Sequence, residues 1–197
     1  MSGKLVSLRR FGDAAAAMSD EALLAASATG DLAALDALFD RFHVAVFRFL
    51  GRLAAADEAA RDDLVQATFL EARRGAKRFR GGSSVKTWML GIAANLARQH
   101  LRGERRRREK HARYADGLQV VAERPDEHVE RREILHEIES ALASLPHDLC
   151  VAFVLCDLED IPGVEAARAL GVPQGTLWRR LHVARKAVRA AVEKATR

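Results

Sequence analysis

The chain has 197 residues, enough for one large domain or two small ones, and 49% of them are hydrophobic, so a genuine core can form. A formal charge of +5 points to a polyanion or an acidic protein surface as partner without choosing between them. Two cysteines, Cys150 and Cys156, with no CxxC and no Cys/His cluster at zinc spacing, argue against a metal site or redox pair and for two reduced thiols.

The composition is rich in Ala, Leu, Arg and Glu and holds only four prolines. Unbranched side chains lose little rotamer freedom in a helix, so the expected fold class is all-α. No apolar run approaches the roughly eighteen residues of a membrane span, and the opening "MSGKLVSLRRFGDAAAAM" lacks the apolar centre of a signal peptide. The expectation is a soluble, cytoplasmic protein without membrane insertion, whose residues 1–18 form a disordered tail.

In chain order, "SDEALLAASATGD" predicts a short helix capped by Ser19 or Asp20 and stopped at Gly30. "LAALDALFDRFHVAVFRFLGRL" then places Leu35, Leu38, Phe39, Phe42, Val46, Phe49, Leu50 and Leu53 at steps of three and four, a strongly amphipathic helix. "DEAARDDLVQATFLEARRGAKRF" continues through Leu64, Val65, Thr68, Phe69 and Ala72, and "RGGSS" breaks it into a turn or short loop after Phe79. "VKTWMLGIAANLARQHLR" turns Val85, Trp88, Met89, Ile92, Leu96 and Leu101 inward and leaves Lys86, Asn95, Arg98, Gln99 and Arg102 outward.

From Gly103 the text "GERRRREKHARYADGLQVVAERPDEHVERRE" is nearly all charge, basic first and acidic later, and reads as a linker whose basic half can extend the preceding helix. The expected domains are therefore 19–103 and 131–197, joined by 104–130. In the second, "EILHEIESALASL" turns Ile134, Leu135, Ile138, Leu142 and Leu145 inward, and Pro146 opens the next helix. "PGVEAARAL", the turn "GVPQ" and a helix with Leu177, Leu181, Ala184 and Val188 as its buried stripe form a helix-turn-helix pattern.

The outward face of that last helix carries Gln174, Trp178 and Arg179, where base contacts are made when a helix enters the major groove, and Arg180, His182, Arg185 and Lys186, where phosphates pass. A solvated surface helix looks the same taken alone; the short preceding helix and the Gly171 turn tilt the balance. Trp178 either stacks on sugar or a thymine methyl or folds back on its own domain, with packing favoured. Phe79, Trp88, Asn95, Arg98 and Arg102 in the first domain set aromatics beside a basic stripe, which suits an unstacked single strand, although the two rings are equally at home in a core. There is no Gly-rich phosphate loop, no paired carboxylates with a supporting His, no GxSxG and no HExxH, and the seven histidines are scattered; no enzyme constellation and no cofactor site is expected.

The two halves together resemble the extracytoplasmic-function group of bacterial sigma-70-type RNA polymerase sigma factors. The resemblance runs from about Asp20 to Val192 and is carried by "DDLVQATFLEARRGAKRFRGGSSVKTWMLGIAANLARQHLR", the charged linker and "LPHDLCVAFVLCDLEDIPGVEAARALGVPQGTLWRRLHVARKAVR". It implies a non-enzymatic initiation subunit with a sigma-2-like helical bundle and a sigma-4-like helix-turn-helix domain. Asp63, Leu64, Gln66 and Phe69 would dock on the beta-prime clamp helices of core polymerase, and the helices around Leu149 and Phe153 on the beta flap. Phe79 and Asn95 fall at positions lining a pocket for a flipped minus-ten base, with Ser83, Ser84, Lys86, Trp88, Arg98 and Arg102 around it. Gln174, Thr176, Trp178, Arg179 and Arg180 fall on the helix that reads the minus-thirty-five element, with His182, Arg185 and Lys186 beyond. Partners so implied are core RNA polymerase and promoter DNA, with an anti-sigma factor as the partner that commonly holds such factors inactive. The competing reading is a helix-turn-helix regulator that binds duplex DNA unaided.

Overall fold

The computed structural model describes residues 17–53, 58–112, 138 and 140–195, and all regular structure among them is helical. Helix α1, Asp20–Ala28, starts where the Ser19 side chain accepts a hydrogen bond from the Ala22 amide, with Asp20 and Glu21 in the first turn to complement the helix dipole. Gly30, at φ 103°, turns the chain, and Asp31 caps α2, Leu32–Arg52, by accepting from the Ala34 amide at 3.1 Å.

The predicted stripe of α2 is buried at Leu38, Val46, Phe49 and Leu50, but Phe39, expected inward, is 38% exposed. A stripe with both a three- and a four-residue step is wider than the contact it makes, and Phe39 lies on its edge, stacked on His43 at 4.9 Å and tilted against Phe69 at 4.9 Å. Helix α3, Glu58–Gly75, buries Leu64, Val65, Thr68, Phe69 and Ala72, and Thr68 donates its hydroxyl to the Leu64 carbonyl at 2.7 Å, which satisfies that buried hydroxyl. A 3₁₀ turn, Ala76–Arg78, and the Gly81 bend, at φ 68°, lead into α4, Val85–Ala112. Helix α4 runs nine residues past the expected boundary at Gly103, because Arg and Glu are good helix formers and Glu104 pairs with Arg107 one turn on.

In the second half, helical residues 140–144 bury Leu142, and α5, His147–Phe153, follows Pro146. The predicted Ile134 and Leu135 lie outside the described residues. Helix α5 ends in a π-helical turn, Val154–Leu158, and Asp160 at φ 52° re-aims the chain into α6, Gly163–Leu170. Gly171 closes α6 in the left-handed region at φ 65°, with the Val172 amide returning to the Ala167 carbonyl at 3.0 Å. Helix α7, Gln174–Ala195, buries Leu177, Leu181, Ala184 and Val188 as its periodicity predicts.

The two halves pack on each other. Helix α6 lies across α4 at Gly91, where a Cβ would stand 2.4 Å from the Ala169 carbonyl oxygen; only a residue without a side chain allows the two backbones this close.

Candidate nucleic-acid interface

Local sequence builds the first face from a helix end, a loop and a helix start. Ser84 caps α4 by accepting from the Thr87 amide at 3.1 Å and meets the Thr87 hydroxyl at 2.8 Å, which aims the first turn of α4 across the end of α3. Phe79 and Trp88 are thereby brought together as tilted rings with centroids 5.4 Å apart, both half-buried. The Trp88 ring also lies on Gly75, where a Cβ would be in ordinary contact with it at 3.4 Å.

Beside this pair is a cavity of about 550 Å³ lined by Glu71, Gly75, Arg78, Trp88, Ile92, Asn95, Leu96, Gln99 and Ala169. An aromatic wall, an amide at Asn95 and a cation at Arg78 can stack a planar base, hydrogen-bond its edge and neutralise its phosphate. Asn95 and Trp88 were legible as site candidates; Phe79 stands behind Trp88 rather than on the lining. Glu71 and Arg78 lie on α3 and the turn after it, where their surroundings come from the α3–α4 crossing and not from their own periodicity. Ala169 comes from α6, so the second half forms one wall.

Two cations of α4, Lys86 and Arg98, are occupied. Lys86 Nζ lies 2.9 Å from Glu159, which also pairs with Arg52, and Arg98 lies 2.8 Å from Asp148. The Ser84 amide and the Thr87 hydroxyl reach Glu165 at 3.3 and 3.4 Å. Ser83 is half-buried, while Arg102 is exposed.

On α3, Asp63 and Gln66 are exposed, whereas Leu64 and Phe69 are buried. The last two therefore hold α3 on its own bundle instead of meeting a partner, since a 3.6-residue period that turns Asp63 and Gln66 outward turns their neighbours in. Leu70 is the large apolar side chain of this helix that stays exposed. Phe153 on α5 is likewise buried, and Leu149 half-buried.

On α7, Gln174, Trp178, Arg179, His182 and Lys186 are exposed along one side, with Thr176 half-buried. The outer ring of Trp178 lies over Gly163, where a Cβ would meet it at 2.7 Å, yet the side chain remains 46% exposed; it both packs and presents a face. Arg180 is half-buried and Arg185 exposed, and both are held by carboxylates of their own half. Arg180 pairs with Asp148 at 2.8 Å, and Arg185 forms a bidentate pair with Asp157 at 2.6 and 2.9 Å, which raises its pKa. Burial pushes the Cys150 thiol up to about 11, so it stays protonated, and burial with the neighbouring Asp157 raises Cys156. Both are free.

A bundle ending in an aromatic-walled cavity, followed on the same chain by a helix-turn-helix, defines a two-headed nucleic-acid-binding protein. Comparison gives the class a name. Sigma-70 region 2 matches residues 38–107 and Sigma-70, region 4 matches residues 135–188. The ECF RNA polymerase sigma factor SigC of Mycobacterium tuberculosis is 34% identical over 91% of this chain and 96% of its own. The ECF RNA polymerase sigma-E factor of Haemophilus influenzae is 29% identical over 89% of this chain and 96% of its own. Among solved structures, CnrH in complex with the cytosolic domain of CnrY superposes with a TM-score of 0.62 at 24% identity, covering 89% of this chain and 97% of that one. The sigma factor RpoE in complex with the anti-sigma factor NepR from Bartonella quintana gives 0.57 at 24% identity, covering 79% and 94%.

The chain belongs to the sigma-70 family, in its extracytoplasmic-function group, and is an RNA polymerase sigma factor. Sigma factors are non-enzymatic initiation factors whose domains bind core RNA polymerase and promoter DNA. A region 2 match is not expected of a regulator that binds duplex DNA unaided, so that alternative is not favoured.

Proposed function

We propose that residues 19–103 bind core polymerase and the minus-ten element, and that residues 131–197 read the minus-thirty-five element, with 104–130 joining them. The Asp63 and Gln66 face of α3 docks on the beta-prime clamp helices, supported from beneath by Leu64 and Phe69. A base unstacked from the non-template strand enters the cavity beside Trp88 and Asn95, with Phe79 backing the tryptophan and Ser83, Ser84, Lys86, Arg98 and Arg102 following the strand. Capture of that base offsets part of the few kcal/mol that unpairing costs, so opening needs no nucleotide hydrolysis and no cofactor. The chain supplies no catalysis of its own and works in the cytoplasm beside the polymerase, consistent with the absence of a helix long and apolar enough to cross a membrane among the described residues.

Gln174, Thr176, Trp178 and Arg179 read base edges in the major groove, while His182, Lys186 and, once released from their carboxylates, Arg180 and Arg185 meet phosphates. An anti-sigma factor is a further partner, on the ground that the Bartonella sigma factor is solved with one. The observation that carries this reading is the aromatic-walled cavity and the helix-turn-helix on one chain in this order. Multi-round transcription with sigma-free core polymerase on fragmented genomic DNA tests it: discrete new transcripts that require this protein support it, and none, with no co-elution with core, refutes it. In the same preparation Asp63→Ala lowers core affinity by about 1 kcal/mol while the fold is retained; unchanged affinity removes Asp63 from the docking face.

A further inference from the structure

The cavity beside Trp88 is lined from two helices in one rhythm. Glu71, Gly75 and Arg78 follow at steps of four and three on α3 and the turn after it, and Trp88, Ile92, Asn95 and Gln99 at steps of four, three and four on α4. The chain reverses between the helices, so Gly75 lies against the Trp88 ring, and Glu71, one turn earlier, falls on the side of Ile92 and Asn95, one and two turns later. A cation thus stands at the loop end, an aromatic face in the middle and polar side chains at the far end.

Those polar groups are not spent on the protein. Arg78, Asn95 and Gln99 make no side-chain hydrogen bond or ion pair among the described residues. Glu71 accepts from Arg74 on Oε1 at 2.7 Å and has no described partner on Oε2. The Arg74 side chain is 71% exposed, so water screens that pair and it holds Glu71 only weakly.

The bases differ in what they can offer such a set. Asn95 and Gln99 each carry a donor and an acceptor, and Trp88 a stacking face, so these three serve all four bases alike. Arg78 suits a phosphate, which every nucleotide carries. Glu71 breaks the tie, because a carboxylate accepts and does not donate. Adenine, cytosine and guanine have an exocyclic amino group to meet it. Thymine has one N–H between two carbonyl oxygens, whose lone pairs face the carboxylate.

We infer that Glu71 is a specificity-determining residue of this cavity, accepting a hydrogen bond from the amino group of an adenine, cytosine or guanine and rejecting thymine. This role rests on the proposed capture of an unstacked base there and says which bases are captured. Charge also sets the direction of entry: two anions repel, so phosphate lies at Arg78 and the base edge at Glu71.

The test uses the full chain with core polymerase on one fragment that wild type transcribes, prepared with each of the four bases at every position of its minus-ten element. Transcript is measured for wild type, Glu71→Gln and Glu71→Lys, each relative to its own best template, with co-elution on core measured alongside. At one position thymine should be the poorest base for wild type by about tenfold, the effect of one hydrogen bond to a charged group. Glu71→Gln can turn either its oxygen or its nitrogen to the base and should narrow that ratio to about twofold, leaving the other positions as they were. Glu71→Lys, which only donates, should remove the thymine penalty as well.

A thymine penalty that persists in Glu71→Gln, or no position at which thymine is poorest, overturns this role and leaves Glu71 the surface partner of Arg74. Equal loss on every template with weaker co-elution places Glu71 on the core-docking face and overturns it too. If wild type transcribes no fragment at all, base capture itself fails, and the selectivity falls with it.

Discussion

The two faces proposed to meet nucleic acid are built from the same materials and left in opposite states. On α4, Lys86 and Arg98 are paired with carboxylates from the other half, and the cavity beside them takes a wall from Ala169. On α7, Gln174, Arg179, His182 and Lys186 are exposed along one side, and only Arg180 and Arg185 are turned back onto α5 and its π turn. A single strand needs a recess and a duplex needs a ridge. Recesses are easily filled by the protein's own surface, whereas a ridge stays open, so the face proposed to take the strand is the one the second half contacts.

The largest expected effects come from the cores behind each face. Phe49 is fully buried in the first half and Leu181 nearly so in the second. Phe49→Ala should cost about 3–5 kcal/mol and Leu181→Ala about 2–5 kcal/mol. The chain has two tryptophans, one in each half, so urea unfolding in Trp88→Phe and Trp178→Phe backgrounds reads each half separately. The Phe49 change should lower the Trp88 midpoint most, and the Leu181 change the Trp178 midpoint. Equal displacement of both signals by either change would show the halves to be one cooperative unit and dissolve the comparison.

Next in size are the contacts themselves. Arg179→Ala should lower transcription from the cognate promoter by about 1–3 kcal/mol of discrimination while core binding is kept, as expected of a base contact. An equal loss on every promoter would mark a phosphate contact instead. Asn95→Ala should act at the other face, reducing permanganate reactivity of the opened strand by about 1–3 kcal/mol in the opening equilibrium, with duplex binding unchanged. Loss of duplex binding by Asn95→Ala would place it outside the cavity's chemistry.

Gly171→Ala sharpens the comparison on the ridge alone. Its φ of 65° is left-handed and nothing lies within 4 Å of a would-be Cβ, so the cost is backbone strain of about 1–2 kcal/mol without a clash. A thermal melt should show the loss in the Trp178 signal and leave the Trp88 signal in place.

Much of this was written locally. The stripe Leu177, Leu181, Ala184 and Val188, the Ser19 cap and the Gly171 turn depend on neighbours within one or two helical turns, and periodicity finds them. Asn95 and Trp88 were each legible as candidates, but periodicity set Trp88 inward and Asn95 outward, whereas both are half-buried and line one cavity. Asp148, Glu159 and Glu165 were not, because each is an ordinary acid on its own helix or turn and gains its partner only when α6 crosses α4 at Gly91. Leu64 and Phe69 show the converse: the family motif names them for the proposed docking face, while periodicity turns them inward, and both are buried. The π turn at Val154–Leu158 shifts hydrogen bonds by one residue, a change that the short apolar run of this segment does not reveal.

The smallest expected effect concerns acid. His147 lies at the seam between the halves, its Nε2 donating to the Ala94 carbonyl of α4 at 3.0 Å and its Nδ1 buried without a partner. Burial holds its pKa below the ordinary imidazole value; the Ala94 carbonyl and Asp148 oppose that shift, while Arg98 and Arg102 of α4 reinforce it. A proton added at Nδ1 finds nothing to accept its hydrogen bond, so the closed state binds protons less readily than an open one in which the ring is hydrated. Closure is therefore undiminished above the ordinary imidazole range, near pH 6.5, weakens as pH falls through it, and levels off below the lowered value. The radius of gyration of wild type should rise between about pH 7.5 and 5.5. His147→Gln retains a donor for Ala94 and removes the titration, so its radius should stay flat across the same range. A parallel rise in the variant would assign the acid response to groups other than His147 and leave the seam insensitive to pH.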